Sequence, residues 1–178
     1  MFLTLVRSKG SGFARNHPVA RYGLCMDADP LTVVELKPRK KRVYWYVFEP
    51  SDRFVKHWWR PESSLDGREH WLSFERGGVE VARCKFMLYE PHSHPTLGDM
   101  PYGQLDILAL EVAAEKQRRG IGRRALHAIR EMHPLPRLTT LNDDAVSRGF
   151  WDRVGWIRHE SKWGFLAEGV ERVTYSER

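Results

Sequence analysis

The 178-residue chain is 42% hydrophobic and 12% aromatic, which lets it bury a core and excludes disorder over most of its length. Lys and Arg outnumber Asp and Glu by 29 to 23, a formal charge of +6 that favours an anionic ligand or surface over a cationic one. Cys25 and Cys84 have neither metal-site spacing nor the numbers for a disulfide framework. The apolar start before Arg7 is too short for a signal peptide, so the expected setting is cytoplasmic and away from membranes.

Residues 1–40 read as irregular, with turn formers in SKGSGFARNHP and one short apolar stretch in DADPLTVVELKPRKKR before a basic run. The expected organisation is an N-terminal extension over 1–41, contributing to a substrate wall, and a domain over 42–178. Val43 to Phe48 is an aromatic, β-branched run that ends at Pro50 and predicts a strand. SDRFVKHWWRPE opens with Ser51 as a candidate N-cap and predicts a short helix presenting Phe54, Val55, Trp58 and Trp59. Two strand-like runs flank Gly77-Gly78 and predict a β-hairpin, because glycine supplies the positive φ angles of a tight turn. PHSHPTLGDMPYG reads as a loop. QLDILALEVAA then alternates as a strand, with Glu111 as an acidic side chain near its apolar end.

Ile121, Ala125, Ile129 and Met132 recur at spacings of four, four and three, the signature of one helical face, and Pro134 and Pro136 require a stop soon after. RLTTL predicts a strand. DDAVSRGFWDRVG predicts a helix opened by Asp143 or Asp144 and closed by Gly155, and WIRHE, GFLAEG and ERVTYS supply further strand candidates.

The stretch EKQRRGIGRRALHAI, residues 115–129, sets two glycines among four arginines where a strand gives way to a helix. A glycine turn at a helix start aims consecutive backbone N–H groups at one point, where the helix dipole also favours an anion. Arg118, Arg119, Arg123 and Arg124 would add charge-assisted contacts to such an anion. Neither GxxxxGK[ST] nor the three-glycine dinucleotide fingerprint is present, so the glycines alone leave a phosphate cradle and a solvated basic helix start equally open.

LEVAAEKQRRGIGRRAL resembles the central motif of the GCN5-related N-acetyltransferase (GNAT) superfamily, with Val112 at the strand end and Gln117, Gly120 and Gly122 at the Gln/Arg-x-x-Gly-x-Gly/Ala positions. DAVSRGFWDRVGW resembles the superfamily's late helix, with Asp144, Ser147, Trp151, Gly155 and Trp156 at the corresponding places. The resemblance implies an α/β mixed sheet flanked by helices, the acyl-CoA N-acyltransferase fold. It further implies acetyl-CoA as acyl donor and a primary amine, on a small molecule or protein, as acceptor. Val112, Gln117, Arg118, Arg119, Gly120, Ile121, Gly122, Arg123 and Arg124 are then the residues expected at the coenzyme. Glu111 is implied as general base, the Val112 backbone N–H as oxyanion donor, and Ser147 as an assistant to the leaving thiolate. Trp151 stands where the superfamily commonly has a tyrosine acid, and indole offers only an N–H donor.

On the acceptor side, His92 and His94 occupy the loop before the central strand, where a neutral imidazole can serve as base. His-x-His without further ligands predicts no metal. Trp58 lies in HWWRPE, which with YWYVF and the basic run KPRKKR supplies the residue types used for base stacking and phosphate contact. An amine carried on RNA or DNA is therefore an alternative acceptor, and a non-catalytic acyl-CoA-binding module is a third reading. A monomer or homodimer is expected.

Overall fold

The computed structural model describes residues 20–23, 30–40, 44–55, 58–60, 62–64, 68–142, 145–160 and 173–178. The chain divides into two units, Met1–Lys85 with Ala109–Ile129, and Phe86–Leu108 with Arg130–Arg178.

In the first unit, β1 (Ala20–Gly23) pairs antiparallel with β2 (Thr32–Leu36). Both lie in the stretch the sequence reads as irregular. Their alternation is too short to stand out, yet Leu31, Val33 and Val34 are buried. A small antiparallel sheet holds β3 (Arg39–Lys40), β4 (Tyr44–Tyr46) and β5 (Glu62–Ser64). β6 (Glu69–Arg76) pairs antiparallel with β2 and turns at Gly77 and Gly78, φ +56° and +76°, into β7 (Val79–Tyr89). The predicted hairpin is thus present, with the glycines at the angles that L side chains resist.

The strand expected over 43–48 is shorter, and the helix expected from Ser51 does not form. Residues 52–53 and 58–59 are turns, while Val43, 56–57 and 61 lie outside the described residues. In a helix the Val55 N–H would bond to the carbonyl of Ser51. Here it bonds to the carboxylate of Glu111. Ser51 still acts locally, its Oγ accepting the Arg53 N–H at 3.3 Å. Phe54 and Trp59 point into an aromatic core with Tyr46, Phe48, Trp71 and Ala113, leaving Val55 and Trp58 exposed.

In the second unit, the loop expected over 91–103 contains a small hairpin, β8 (His92–His94) with β9 (Gly98–Met100). β10 (Gln104–Val112) follows and carries the chain back to the first unit, where α1 (Ile121–Met132) begins. β11 (Arg137–Asn142) pairs parallel with β10 from Gln104–Arg137 to Ile107–Thr140. The rest is α2 (Ala145–Val154), β12 (Ile157–His159) and β13 (Val173–Ser176), with β13 antiparallel to both β11 and β12. The helix cap expected at Asp143 or Asp144 and the strand candidate GFLAEG lie outside the described residues.

Among the described residues the main sheet has the order β1-β2-β6-β7-β10-β11-β13-β12, a mixed sheet whose parallel pair is β10 with β11. Its register near β10 depends on a tight turn. Gly103 has φ +81°, and a Cβ there would lie 2.3 Å from the Tyr89 carbonyl oxygen. Gly103→Ala is therefore expected to cost about 3 kcal/mol or more, because strain and a backbone clash add. Gly78→Ala, with φ +76° and open space around its Cβ, should cost about 1 kcal/mol from strain alone. Denaturant midpoints of the two variants check the ordering.

Candidate active site

The end of β10 is fixed by one backbone bond: the Ala113 N–H donates to the Val81 carbonyl at 3.0 Å. Successive residues of a strand aim their backbone groups at opposite edges, so Val112 faces away from β7. Its carbonyl accepts the Gln117 Nε2–H at 3.1 Å, which ties the following turn back to the strand.

That turn is a single 3₁₀ turn, Ala114–Lys116, followed by two left-handed residues, Arg118 at φ +57° and Gly120 at φ +75°. A Cβ at Gly120 would meet nothing within 4 Å, so the space above this glycine is open. Gly122 is different. It is the second residue of α1, is buried and has no positive φ, so only Gly120 uses glycine's conformational freedom.

The first helical bond of α1 runs from the Arg124 N–H to the Gly120 carbonyl at 3.1 Å. The N–H groups of Ile121 and Gly122 precede it, at the helix start where no carbonyl of an earlier helical turn faces them. Ile121 contributes only this backbone group, since its side chain is buried in the core. Arg118, Arg119 and Arg123 are exposed, Arg124 is half-buried, and the first turn of α1 holds no acid. Dipole, backbone donors and four guanidinium groups thus act with one sign.

Glu111 is half-buried one residue before Val112. The Val55 N–H is shared between its two carboxylate oxygens at 3.0 and 3.2 Å, and the Trp59 indole Nε1–H donates to Oε2. Among the described residues Oε1 receives only the shared Val55 bond, which leaves it lone-pair capacity for another partner. Sequence spacing gives no sign of Val55, whose contribution is backbone. Trp59 was detectable only as one of two adjacent tryptophans, and the structure separates them: Trp59 is buried on Glu111, Trp58 is 41% exposed.

In the second unit, the two histidines differ in what their rings can do. His94 Nδ1 accepts the backbone N–H groups of Thr96 and Leu97 at 3.1 and 3.2 Å, so the ring is neutral with its proton on Nε2. It is a donor, and the expectation that it can serve as a base does not fit this arrangement. His92 is the reverse: Nδ1 lies 2.9 Å from the Glu90 carbonyl, which can only accept, so Nδ1 carries the proton and the neutral ring keeps a lone pair on Nε2. Burial, reinforced by neighbouring His92, lowers the His94 pKa from its ordinary value. Burial likewise lowers His159, with Arg137 and His94 acting in the same direction.

Ser147 in α2 accepts a hydrogen bond from Asn142 Nδ2 at the end of β11, a partner the sequence did not suggest. Trp151 is buried, with its ring 4.6 Å from Trp156 and 4.9 Å from Phe150. Tyr175 donates its hydroxyl to Asp152 at 3.0 Å, and burial together with that bond raises its pKa. Among the described residues no group of three or more His, Cys, Asp or Glu is arranged to hold a metal ion. Cys84 is buried, which pushes its thiol pKa upward, and Cys25 lies outside the described residues.

The histidine shifts have a sign. A folded-state pKa below the unfolded value means that the unfolded chain takes up protons first, so stability is present above about pH 6.5 and is lost as pH falls through the lowered values. Melting temperature should fall as pH drops below about 6.5. His94→Gln, whose side-chain carbonyl can still accept from Thr96 and Leu97, should flatten part of that fall. An unchanged slope would show that the turn at 95–97 does not depend on a neutral His94.

No protein-family profile matches the chain, and no curated protein sequence matches it. Solved structures do. An acetyltransferase from Thermus thermophilus is 17% identical with a TM-score of 0.48, covering 64% of this chain, which spans 66% of its length. The Bacillus subtilis N-acetyltransferase YlbP, solved with coenzyme A, is 20% identical with a TM-score of 0.47, covering 61% of this chain and 70% of its own. The Escherichia coli ribosomal-protein-S18-alanine N-acetyltransferase is 13% identical with a TM-score of 0.42, covering 62% and 68%. The chain's own element order, a hairpin, a strand ending at the glycine turn, a helix, a parallel strand, a second helix and an antiparallel strand pair, is the order that the sequence resemblance implies.

Proposed function

We propose that this chain is an acetyl-CoA-dependent N-acetyltransferase that passes an acetyl group to a primary amine by direct attack in a ternary complex. The observation that carries the proposal is the turn between β10 and α1. Gly120 leaves open space beside the helix-start N–H groups of Ile121 and Gly122, arginines flank it, and the first turn of α1 holds no acid. Those donors, with the backbone from Gln117 onward, suit a pyrophosphate, and Arg118, Arg119, Arg123 and Arg124 suit the outer phosphates of a coenzyme. Val112, turned away from β7, is the strand-edge residue for an extended amide-bearing arm, and its N–H is a donor for an oxygen that gains charge.

Acetyl-CoA supplies a thioester carbonyl. An alkylamine is protonated near neutral pH, with a pKa of about 10, so the amine must lose a proton before or during attack. Glu111 is proposed to take that proton at Oε1, with Val55 and Trp59 holding the carboxylate still. The N–C bond forms as the C–S bond breaks. A coenzyme thiol has a pKa of about 8.5, so thiolate can leave without obligatory protonation, and Ser147 is the proposed hydroxyl that assists it. His92, with a free Nε2 lone pair, is the alternative base; His94 and Trp58 remain candidates for acceptor binding as a donor and an aromatic surface.

A second reading draws on Trp45 and Trp58, which stay 43% and 41% exposed while the neighbouring Phe48, Phe54 and Trp59 are buried. Exposed indoles of this kind suit base stacking, and the acceptor amine would then be carried on RNA or DNA.

Calorimetric titration with acetyl-CoA tests the cradle. Wild type is expected to bind and Gly120→Glu to bind at least about tenfold more weakly, a loss of about 1.4 kcal/mol. Gly120→Asn, which tolerates a left-handed backbone, separates the charge effect from the conformational one. Equal binding by Gly120→Glu would refute the site. Thiol release is then followed over a panel of small amines, lysine peptides and aminoacylated RNA. Glu111→Gln should lower kcat by about 10²-fold or more while coenzyme binding stays within about twofold. Binding with no thiol release on any acceptor would instead favour a non-catalytic acyl-CoA-binding module.

A further inference from the structure

Arg83 on β7 is only 3% exposed, an unusual place for a guanidinium. Its charge is met by Glu80: Nε donates to Oε1 at 3.0 Å and Nη2 to Oε2 at 2.7 Å, a two-point pair of the kind that fixes a guanidinium plane. Ser73 Oγ donates to the same Glu80 Oε1 at 2.7 Å. Nη2 also donates to the Glu49 carbonyl at 2.7 Å, and the guanidinium carbon lies 4.5 Å from the centre of the Phe48 ring and 4.3 Å from that of Phe54. Both distances fall within cation–π range. One side chain therefore grips the segment 48–54 at three points. Arg53 adds a fourth, donating to the Glu80 backbone carbonyl at 2.7 Å.

The residues just beyond that segment explain why it needs gripping. Val55, next to Phe54, gives its N–H to Glu111, and Trp59, whose ring meets Phe48 edge-on at 5.1 Å, gives its indole N–H to the same carboxylate. Among the described residues of 47–60 no regular helix or strand forms, so the backbone there has no ladder of its own to fix it. We infer that Arg83 is a positioning residue: through Phe48, Phe54 and Glu49 it sets the segment whose Val55 and Trp59 donors orient the Glu111 carboxylate. This rests on the proposed role of Glu111 as the proton acceptor. An Arg–Glu pair with its guanidinium buried adds little stability over apolar packing, so orientation is the role its geometry supports.

The test reads the Trp59 indole N–H in ¹H–¹⁵N spectra, assigned by Trp59→Phe, against the indole of Trp151 in α2, which packs on Phe150 and Trp156 and serves as internal reference. In wild type the Trp59 resonance should follow the ionisation of Glu111 as pH is varied, and Glu111→Gln should abolish that dependence. In Arg83→Met, which keeps apolar bulk, the pH-dependent shift should shrink at least twofold while the Trp151 resonance stays in place, and Arg83→Lys should restore part of it. Should Arg83→Met not fold, Phe54→Leu loosens the same grip from the other side and carries the same expectation. A Trp59 titration unchanged in a folded Arg83→Met or Phe54→Leu variant overturns the inference. Loss of acetyl-CoA binding in the wild type would instead overturn the proposed function, and the two failures are read in separate experiments.

Discussion

The hydrogen bond from the Ala113 N–H to the Val81 carbonyl organises the first unit. It ends the pairing of β10 with β7 at a defined residue and, by strand alternation, turns Val112 to the other edge. Ala113 is itself fully buried beneath Tyr46, Phe48, Phe54, Trp59 and Trp71, so the bond cannot shift by a residue without exposing that cluster. A one-residue slip would exchange the faces of Val112 and Glu111. The Gln117 bond to the Val112 carbonyl carries this fixed origin forward through the 3₁₀ turn to Gly120 and the start of α1. The open space at Gly120, the helix-start N–H groups and the aimed carboxylate are consequences of one register.

Electrostatics separates the two halves of this arrangement. Around the glycine turn every fixed charge within the first helical turn is positive, which suits an anion and nothing else. Around Glu111 the donors are neutral, a backbone amide and an indole. Glu35 in the same unit is held by charged partners instead: His70 and Lys37 lower its pKa to about 2. Among the described residues Glu111 is oriented by these neutral N–H groups.

The sequence revealed the elements whose period is long or whose turn chemistry is strong: the Gly77-Gly78 hairpin, the alternating strand to Val112, and the Ile121, Ala125, Ile129, Met132 face of α1. It missed β1, β2 and the β8 to β9 hairpin, each five residues or shorter, where alternation carries little signal. It misread 51–60 as a helix because Ser51 and the apolar spacing fit one locally, whereas the Val55 N–H is claimed by a carboxylate 56 residues away. At the candidate site, Val112, Gln117 and Gly120 were legible from motif spacing. Gly122 was also legible as a position, and it sits buried in α1 without a positive φ. The difference between His92 and His94 was not legible at all, because it depends on which backbone groups each ring nitrogen meets in the folded turn.

α2 offers no ready acid: Trp151 packs between Phe150 and Trp156, and an indole does not release its proton near neutral pH. The buried tyrosine of β13, Tyr175, spends its hydroxyl on Asp152, and both burial and that acceptor hold the proton more tightly. On the proposed reading the chain therefore invests in the attacking side, with a carboxylate held by two donors that are themselves clamped through Arg83. It leaves the departing thiolate to its own modest basicity. For a thiol of pKa about 8.5 that division is chemically sound, because an alkylamine of pKa about 10 is the partner whose proton stands in the way of the reaction at neutral pH.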